Sequence, residues 1–402
     1  MKKIAMSITN DFTHDSRVKR EALALIGAGY HVDLVAIKSK DTESAENQER
    51  INIHRVQPAP WKGIFGENPI NTFRYLRHLF KYGNLTQKII YDKLVTLKAD
   101  IYHAHDFDTL MPAAQAAKVN KSLLVYDSHE LFTETIKKYS STSKIKNIYL
   151  NIVINYIRLM EKRYIRKADG VITVNEPIAQ LLKKWYGIDL PTVVMNTPDR
   201  QEVENIISWQ KIYNLPDDSK IILYQGVFGP DRGILPMIES ICHLPRNYYQ
   251  VFLGYGEFKK TMDEIINKNG WQQRVFIHPA VDPAELLPYT AGADLGVALI
   301  EPLNLSKKLA SPNKIFEYMM SSIPVICSNL PVMAPIVNEW KNGLLVDELK
   351  PEVIAEKIVK ILSSPDYNLM SQNSKKAAWE KYNWQVESKK LIGLYDSLES
   401  KG

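Results

Sequence analysis

Two cations and one carboxylate in the second half of the chain carry the most chemical information. The stretch SPNKIFEYMM, residues 311–320, predicts a helix that starts just after Pro312 with Lys314 in its first turn. The helix macrodipole makes that end partly positive, so a lysine there has the wrong sign unless an anion lies beside it. Glu317 follows three residues later among the apolar Ile315, Phe316, Met319 and Met320. It pairs with Lys314 at i,i+3 or turns into a cleft. Upstream, YQGVFGPDRG (224–233) places Gly226, Gly229 and Gly233 after a strand, with Arg232 where the next helix is expected to begin. A glycine loop feeding a helix is an ordinary β–α turn and also a ready anion seat. Two cations at two such turns can clamp a diphosphate, and a carboxylate one turn away can accept two ribose hydroxyls.

These turns need a scaffold that brings strand ends together. β-Branched runs alternate with amphipathic stretches, which predicts parallel sheets covered on both faces. Strands are expected at 2–8, 31–37, 99–104, 122–127 and 170–174, with an amphipathic helix from Asp15 to Tyr30. The pattern restarts at 220–226, 249–256, 274–279, 293–299, 323–328 and 343–347. DPAE at 282 reads as a capping box opening a helix, with Asp282 as N-cap and Glu285 at N3. Asn, Thr, Pro and Asp interrupt the pattern near 193–200. The expected fold is therefore α/β, two doubly wound domains in tandem, with ligands outside the carboxyl ends of the strands and in the cleft between the domains.

The ordered set GVFGPDRG, ADLGVAL, SPNKIFEYM, IPVICSNLP and NGLLVD resembles the donor-binding domain of the GT-B-fold retaining glycosyltransferases of family 4. The segments 10–32, 103–110, 126–134 and 161–176 resemble that family's acceptor domain in the same order, and 382–398 resembles its last helix. The resemblance implies two Rossmann-like domains facing across a cleft. These are an acceptor-binding domain at 1–195, completed by a helix at 383–402 that crosses back, and a donor-binding domain at 196–382. It implies a nucleotide-sugar donor, a UDP-sugar favoured over a GDP-sugar, as substrate rather than cofactor. Arg232 and Lys314 would bind the diphosphate and Glu317 the ribose, with Gly226 and Asn313 beside them. His129 would orient the sugar or the incoming hydroxyl, so His129, Arg232 and Lys314 form the catalytic set. Asp15, Arg17, His105, Asp106 and Glu130 fall on the acceptor or sugar side. The family's usual first glutamate is replaced by Leu309, which removes one residue that would help to name the sugar.

HAHDFD (103–108) admits a second reading. Alternation puts His103 and His105 on one strand face, and with Asp106 and Asp108 they offer metal-ligand atoms. The resemblance implies instead that no metal is needed, because protein cations serve the diphosphate. A sugar-nucleotide epimerase and a non-catalytic assembly partner are the rival readings of the whole chain. A nicotinamide enzyme is excluded by the lack of a dinucleotide glycine fingerprint.

The partners follow from charge. Of the net +6, residues 1–190 carry 29 basic and 20 acidic side chains, and the rest carry 22 and 25. A basic half is expected to meet an anionic surface. Residues 137–167 combine an apolar helical pattern with lysines 137, 138, 144 and 146 before it and Arg158, Lys162, Arg163, Arg166 and Lys167 at its end; 61–83 has a similar aromatic–basic character. Both suit the cytoplasmic face of the inner membrane and a lipid-linked glycan acceptor. With no nucleic-acid module in the chain, no nucleic-acid partner is expected. No run is long and apolar enough for a membrane span. MKKIAMSITNDF reads as a first strand rather than a signal peptide. Cys242 and Cys327, both expected in apolar settings, predict no disulfide and a reducing cytoplasm.

Overall fold

Apolar runs become strands buried on both faces, as parallel sheets require. A computed structural model of the chain describes residues 1–58, 84–136 and 144–400. It separates into two compact units, Met1–Met195 with Ser388–Gly402, and Asn196–Glu387. The first unit contains β1 (Lys3–Ser7), β2 (His31–Ile37), β3 (Ala45–Gln48), β4 (Ile51–Val56), β5 (Ile101–His105), β6 (Leu123–Ser128), β7 (Gly170–Thr173) and β8 (Thr192–Val193). They form one sheet in the order β3-β4-β2-β1-β5-β6-β7-β8, parallel except for β3 on β4. The second unit contains β9 (Lys220–Val227), β10 (Tyr248–Tyr255), β11 (Val275–Pro279), β12 (Leu295–Ala298), β13 (Val325–Ser328) and β14 (Gly343–Val346). Their order is β11-β10-β9-β12-β13-β14, all parallel. That is the Rossmann order, with its switch point between β9 and β12. The first sheet switches likewise between β1 and β5.

Six of the helices position the residues of interest: α1 (Ser16–Gly27), α2 (Asp106–Asn120), α3 (Lys144–Ile165), α4 (Ile234–Glu239), α5 (Asn313–Met320) and α6 (Trp384–Glu399). Asp15 caps α1 by accepting from the Val18 N–H at 3.1 Å. The chain returns to the first unit for its last residues, where Tyr395 of α6 is fully buried.

The structure corrects several expectations. β3, β4 and β8 are additions to the expected strands. β4 alternates buried and half-buried residues, a legible pattern, whereas the polar β3 is an exposed antiparallel edge. DPAE does not open a helix. Asp282 Oδ1 accepts from the Ala284 N–H and its carbonyl from the Glu285 N–H, both at 2.9 Å. These bonds close a tight turn, and the helix begins at Leu286. Arg232 is not in a first helical turn either. Gly233 takes a left-handed φ of 60° as N-cap, so α4 starts after it and is only six residues long. The support for an anion there is the guanidinium itself rather than a helix end. Cys242 is exposed, although Cys327 is buried. The segment 61–83, Lys137 and Lys138, and the side chains of Lys144, Ile145, Lys146 and Tyr149 lie outside the described residues.

α5 is set against β12 by one close approach. A Cβ on Gly296 would stand 2.3 Å from the ring of Tyr318, whose hydroxyl donates to the carbonyls of Leu223 and Val297. Gly296 is thus where β12 lets the helix carrying Lys314 come down onto the sheet. We expect Gly296→Ala to cost about 1–3 kcal/mol through overpacking, read as a lowered denaturant midpoint at unchanged slope. An unchanged midpoint would mean that α5 can shift without loss.

Candidate functional site

In the second unit the predicted residues meet at the switch point. β9 ends in Gly226 and Val227, and Gly226 has a φ of 112°, a conformation glycine tolerates best. Beside it a Cβ on Gly254 would lie 2.0 Å from the Gly226 carbonyl oxygen, so the two strand ends touch backbone to backbone. Lys314, the second residue of α5, runs under this turn. Its ammonium lies 3.5 Å from the centroid of the Tyr224 ring, a cation–π contact. A Cβ on Gly226 would be 3.7 Å from the same nitrogen. Lys314 is 8% exposed, and burial pushes its pKa well below the ordinary lysine value. Arg232 pushes the same way, and Glu317 only partly offsets them.

Glu317 lies one turn on from Lys314 and is the half-exposed member of a run otherwise buried from 314 to 320. Its Oε2 accepts a short hydrogen bond from Gln225 Nε2, while Gln225 Oε1 accepts from Thr290 at 2.8 Å. The carboxylate is therefore aimed by the strand beneath it. Gln225 and Tyr224 carried no signal in the sequence beyond their strand. Asn313 opens α5 and is half-buried. Asp231, next to Arg232, pairs with Lys307 at 2.6 Å. Leu309 is 7% exposed, just past the short helix Leu305–Lys308.

The first unit gathers charge at its own switch point. His129 follows β6 and is held between two carboxylates. Its Nδ1 is 3.2 Å from Asp106 Oδ2 and its Nε2 is 3.0 Å from Asp127 Oδ2. Burial alone would lower its pKa, but Asp106 and Asp127 outweigh that and raise it well above the usual histidine value. His129 is thus an imidazolium, a donor and a positive charge rather than a base. Asp106 also accepts from the His129 N–H at 3.0 Å. It does so with a φ of 61°, a left-handed conformation that aspartate tolerates and that often marks functional sites.

Arg17 was expected to face a ligand, and the structure turns it inward. It is 5% exposed, donates from Nε and Nη2 to both oxygens of Asp127 at 2.9 and 3.0 Å, and donates from Nη1 to the Val194 carbonyl at 2.9 Å. Its Nε also lies 3.0 Å from Glu21. His105 is likewise corrected from a ligand-facing residue to a buried one. It is 3% exposed behind His129, with its Nδ1 3.2 Å from His129 Nε2. Asp15 is spent on its cap and on accepting from Asn10 Nδ2 at 2.8 Å. Glu130 remains exposed next to His129. Asp127 was missed, although an Asp two residues before His129 shares its strand face and is a readable signal.

The metal reading of HAHDFD changes its members. Asp106 is engaged by His129, and Asp108, crowded by burial and by Asp106, is pushed up to about 6. Among the described residues, the ligand-type atoms that converge belong to Glu21, His103, His105 and Asp127, within 4.8 Å of one another. Burial lifts the Glu21 carboxyl to about 8 despite Arg17.

Two family models match the chain. One, described as Glycosyltransferase Family 4, covers residues 16–199, and the other, Glycosyl transferases group 1, covers 205–378. An uncharacterized glycosyltransferase of Methanocaldococcus jannaschii is 23% identical over 93% of this chain and 91% of its own. Among solved structures, a sucrose-phosphate synthase from Thermosynechococcus elongatus superposes with a TM-score of 0.78 at 19% identity, covering 100% of both chains. An Anabaena protein, HepE, solved with UDP-glucose, gives 0.73 at 15% identity over 99% of this chain and 100% of that one. At these identities the structures establish a shared fold, GT-B.

Lys314 supplies the test of this geometry. Its folded pKa lies below its unfolded one, so between those values the unfolded chain binds more protons. Folding stability therefore rises with pH across that window, and the penalty of the buried charge is full below it. We expect Lys314→Met to raise the stability of the free protein by about 1 kcal/mol at neutral pH, with the gain shrinking as pH climbs toward 10. A destabilised Lys314→Met at neutral pH in urea melts would contradict the unpaired-charge reading.

Proposed function

The chain belongs to the group 1, family 4 glycosyltransferases, and on that premise we propose that it transfers a sugar, with retention of anomeric configuration, from a nucleoside diphosphate sugar to a glycan acceptor. The observation that carries this reading is Lys314 and Glu317 one turn apart on α5 at the β9–β12 switch point, with Arg232 in the facing loop. A buried lysine short of counter-charge takes a diphosphate more readily than water does. As the glycosidic bond breaks, negative charge grows on the leaving phosphate. Lys314 and Arg232 are fixed cations that stabilise that charge, and preorganised charge of this kind commonly supplies more of an enzyme's acceleration than any other effect. They take the part a metal ion plays elsewhere, so transfer on this reading is metal-independent. Glu317, aimed by Gln225, accepts the ribose hydroxyls. UDP is the favoured carrier, in keeping with the neighbour solved with UDP-glucose.

His129 adds a constraint on mechanism. Both of its ring nitrogens face carboxylates, so it cannot take the proton of the incoming hydroxyl. That proton is left to the departing diphosphate oxygen, which lies on the donor's own face and so favours retention. His129 contributes its charge and orientation.

Thermal melts with UDP, GDP, ADP and CMP test the donor half. One nucleotide should raise the melting temperature, with and without EDTA, and Glu317→Ala should lose most of that rise. A shift abolished by EDTA, or none at all, would sink the metal-free diphosphate site. The anomeric proton coupling of the product then reports retention or inversion directly.

The acceptor side points to a membrane. On α3, Ile148, Ile152, Tyr156 and Leu159 are 61, 60, 44 and 60% exposed and share one face, while Leu150, Val153, Ile154 and Ile157 are buried opposite. Arg163, Arg166 and Lys167 at the helix end are exposed as well. Exposed aliphatic side chains beside a basic cluster suit an anionic bilayer surface and a lipid-linked acceptor, as in cell-surface glycan assembly on the cytoplasmic face. No described helix is long and apolar enough to cross a membrane. We expect the chain to sediment with vesicles containing phosphatidylglycerol but not with phosphatidylcholine alone, and Ile152→Asp with Leu159→Asp to cut that binding at least tenfold. Equal sedimentation of variant and parent would remove α3 from the contact.

A further inference from the structure

Glu21, His103 and His105 form a buried group that the hydrogen bonds of the first unit leave incomplete. They are 0, 0 and 3% exposed. Both oxygens of Glu21, His103 Nε2 and His105 Nε2 have no hydrogen-bond partner. Glu21 has the Arg17 ion pair at 3.0 Å, an approach to His103 Nε2 at 3.9 Å and the Asp127 carboxylate close by. Such atoms are costly to leave unsatisfied in a protein interior. The fold explains why they converge. Positions 103 and 105 point to the same face of β5, their rings stack with centroids 4.2 Å apart, and Glu21 descends on them from α1.

We propose that Glu21, His103 and His105 bind a divalent transition-metal ion, zinc in the first instance, through one carboxylate oxygen and the two Nε2 atoms. Two imidazoles and one carboxylate are a donor set that zinc and its neighbours in the series use. The opposite nitrogen of the His103 ring already has the kind of partner that orients a metal-binding histidine. Tyr395 Oη is 2.9 Å from His103 Nδ1, while His105 Nδ1 lies 3.2 Å from His129 Nε2 and 3.6 Å from Asp127 Oδ2. Asp127 is held through both its oxygens by Arg17 and is left out of the ligand set. At 3.9 Å the Glu21 carboxyl and His103 Nε2 are too far apart for a direct hydrogen bond. The ion satisfies all three side chains together. Glu21 Oε2 and His103 Nε2 are 3.9 Å apart, against the edges of about 3.4 Å that bonds near 2.1 Å dictate. Buried in the first unit, the ion is structural.

The test uses the full chain, purified without a chelator or a metal-affinity step. Plasma mass spectrometry should find about one zinc per chain, falling at least tenfold in Glu21→Gln and in His103→Gln. Metal-stripped wild type refolded with cobalt(II) should show visible ligand-field bands. Wild type that yields neither resident metal nor a cobalt band overturns the proposal and leaves a buried water with a protonated Glu21 in its place. Metal content unchanged in both variants overturns it equally, because the ion then sits elsewhere. If the variants fail to fold, the cobalt spectrum of the wild type decides alone.

Discussion

Lys314 is a cation taken out of water with too little negative charge around it. The rest of the second unit can be understood from that imbalance. The Tyr224 ring face, the bare backbone of Gly226 and the first turn of α5 surround its ammonium. None of them neutralises it, and Glu317 is one turn away and tied to Gln225. Burying a charge without a partner is unfavourable, and evolution could have replaced it with an apolar side chain of the same length. On the proposed reading an anion binds here, and the stability forgone in the free protein would be returned when it does. The closeness of Tyr318 to Gly296 serves the same end, since it holds α5 at the depth where Lys314 reaches the strand ends.

The first unit handles a buried cation in the opposite way. Arg17 meets both oxygens of Asp127, a backbone carbonyl and Glu21, so its charge is fully answered. That completeness makes it a poor ligand contact and a good strut. It fixes Asp127, which with Asp106 keeps His129 protonated. A planar guanidinium suits this task because it bonds a carboxylate side-on with two parallel hydrogen bonds. The left-handed Asp106 completes the arrangement by turning its carboxylate back onto His129 at the start of α2. The ordered charges at the first switch point are thus supported from behind by groups that no solvent reaches.

α3 shows how far composition can mislead without packing. Its apolar residues are too many for one face, so they divide. Half of them close the core against Phe107 and Ile136, and half stand in solvent beside a basic helix end. A helix that is apolar on both sides has either a second protein partner or a lipid surface to meet. The basic excess of this half of the chain favours lipid.

The sequence by itself determined the α/β class, the restart of the pattern near residue 200, most of the strands, and the placement of Lys314 and Glu317 on one helix. These are local facts. Strand periodicity, helix spacing and a lysine in a first turn are written in neighbouring residues. Asp127 was also within reach, two residues before His129 on one strand face. The tertiary structure alone decided the rest. Arg17 reads as a ligand contact because it opens a helix, and only the pairing of α1 with β6, 110 residues away, shows it buried on Asp127. Tyr395 meets His103 across 292 residues. The glycine at 233, not the arginine before it, sets where α4 begins, because the backbone there needs a positive φ. Whether a charged side chain is a tool or a strut depends on how much opposite charge the fold brings to it, and that charge comes from residues far away in the chain.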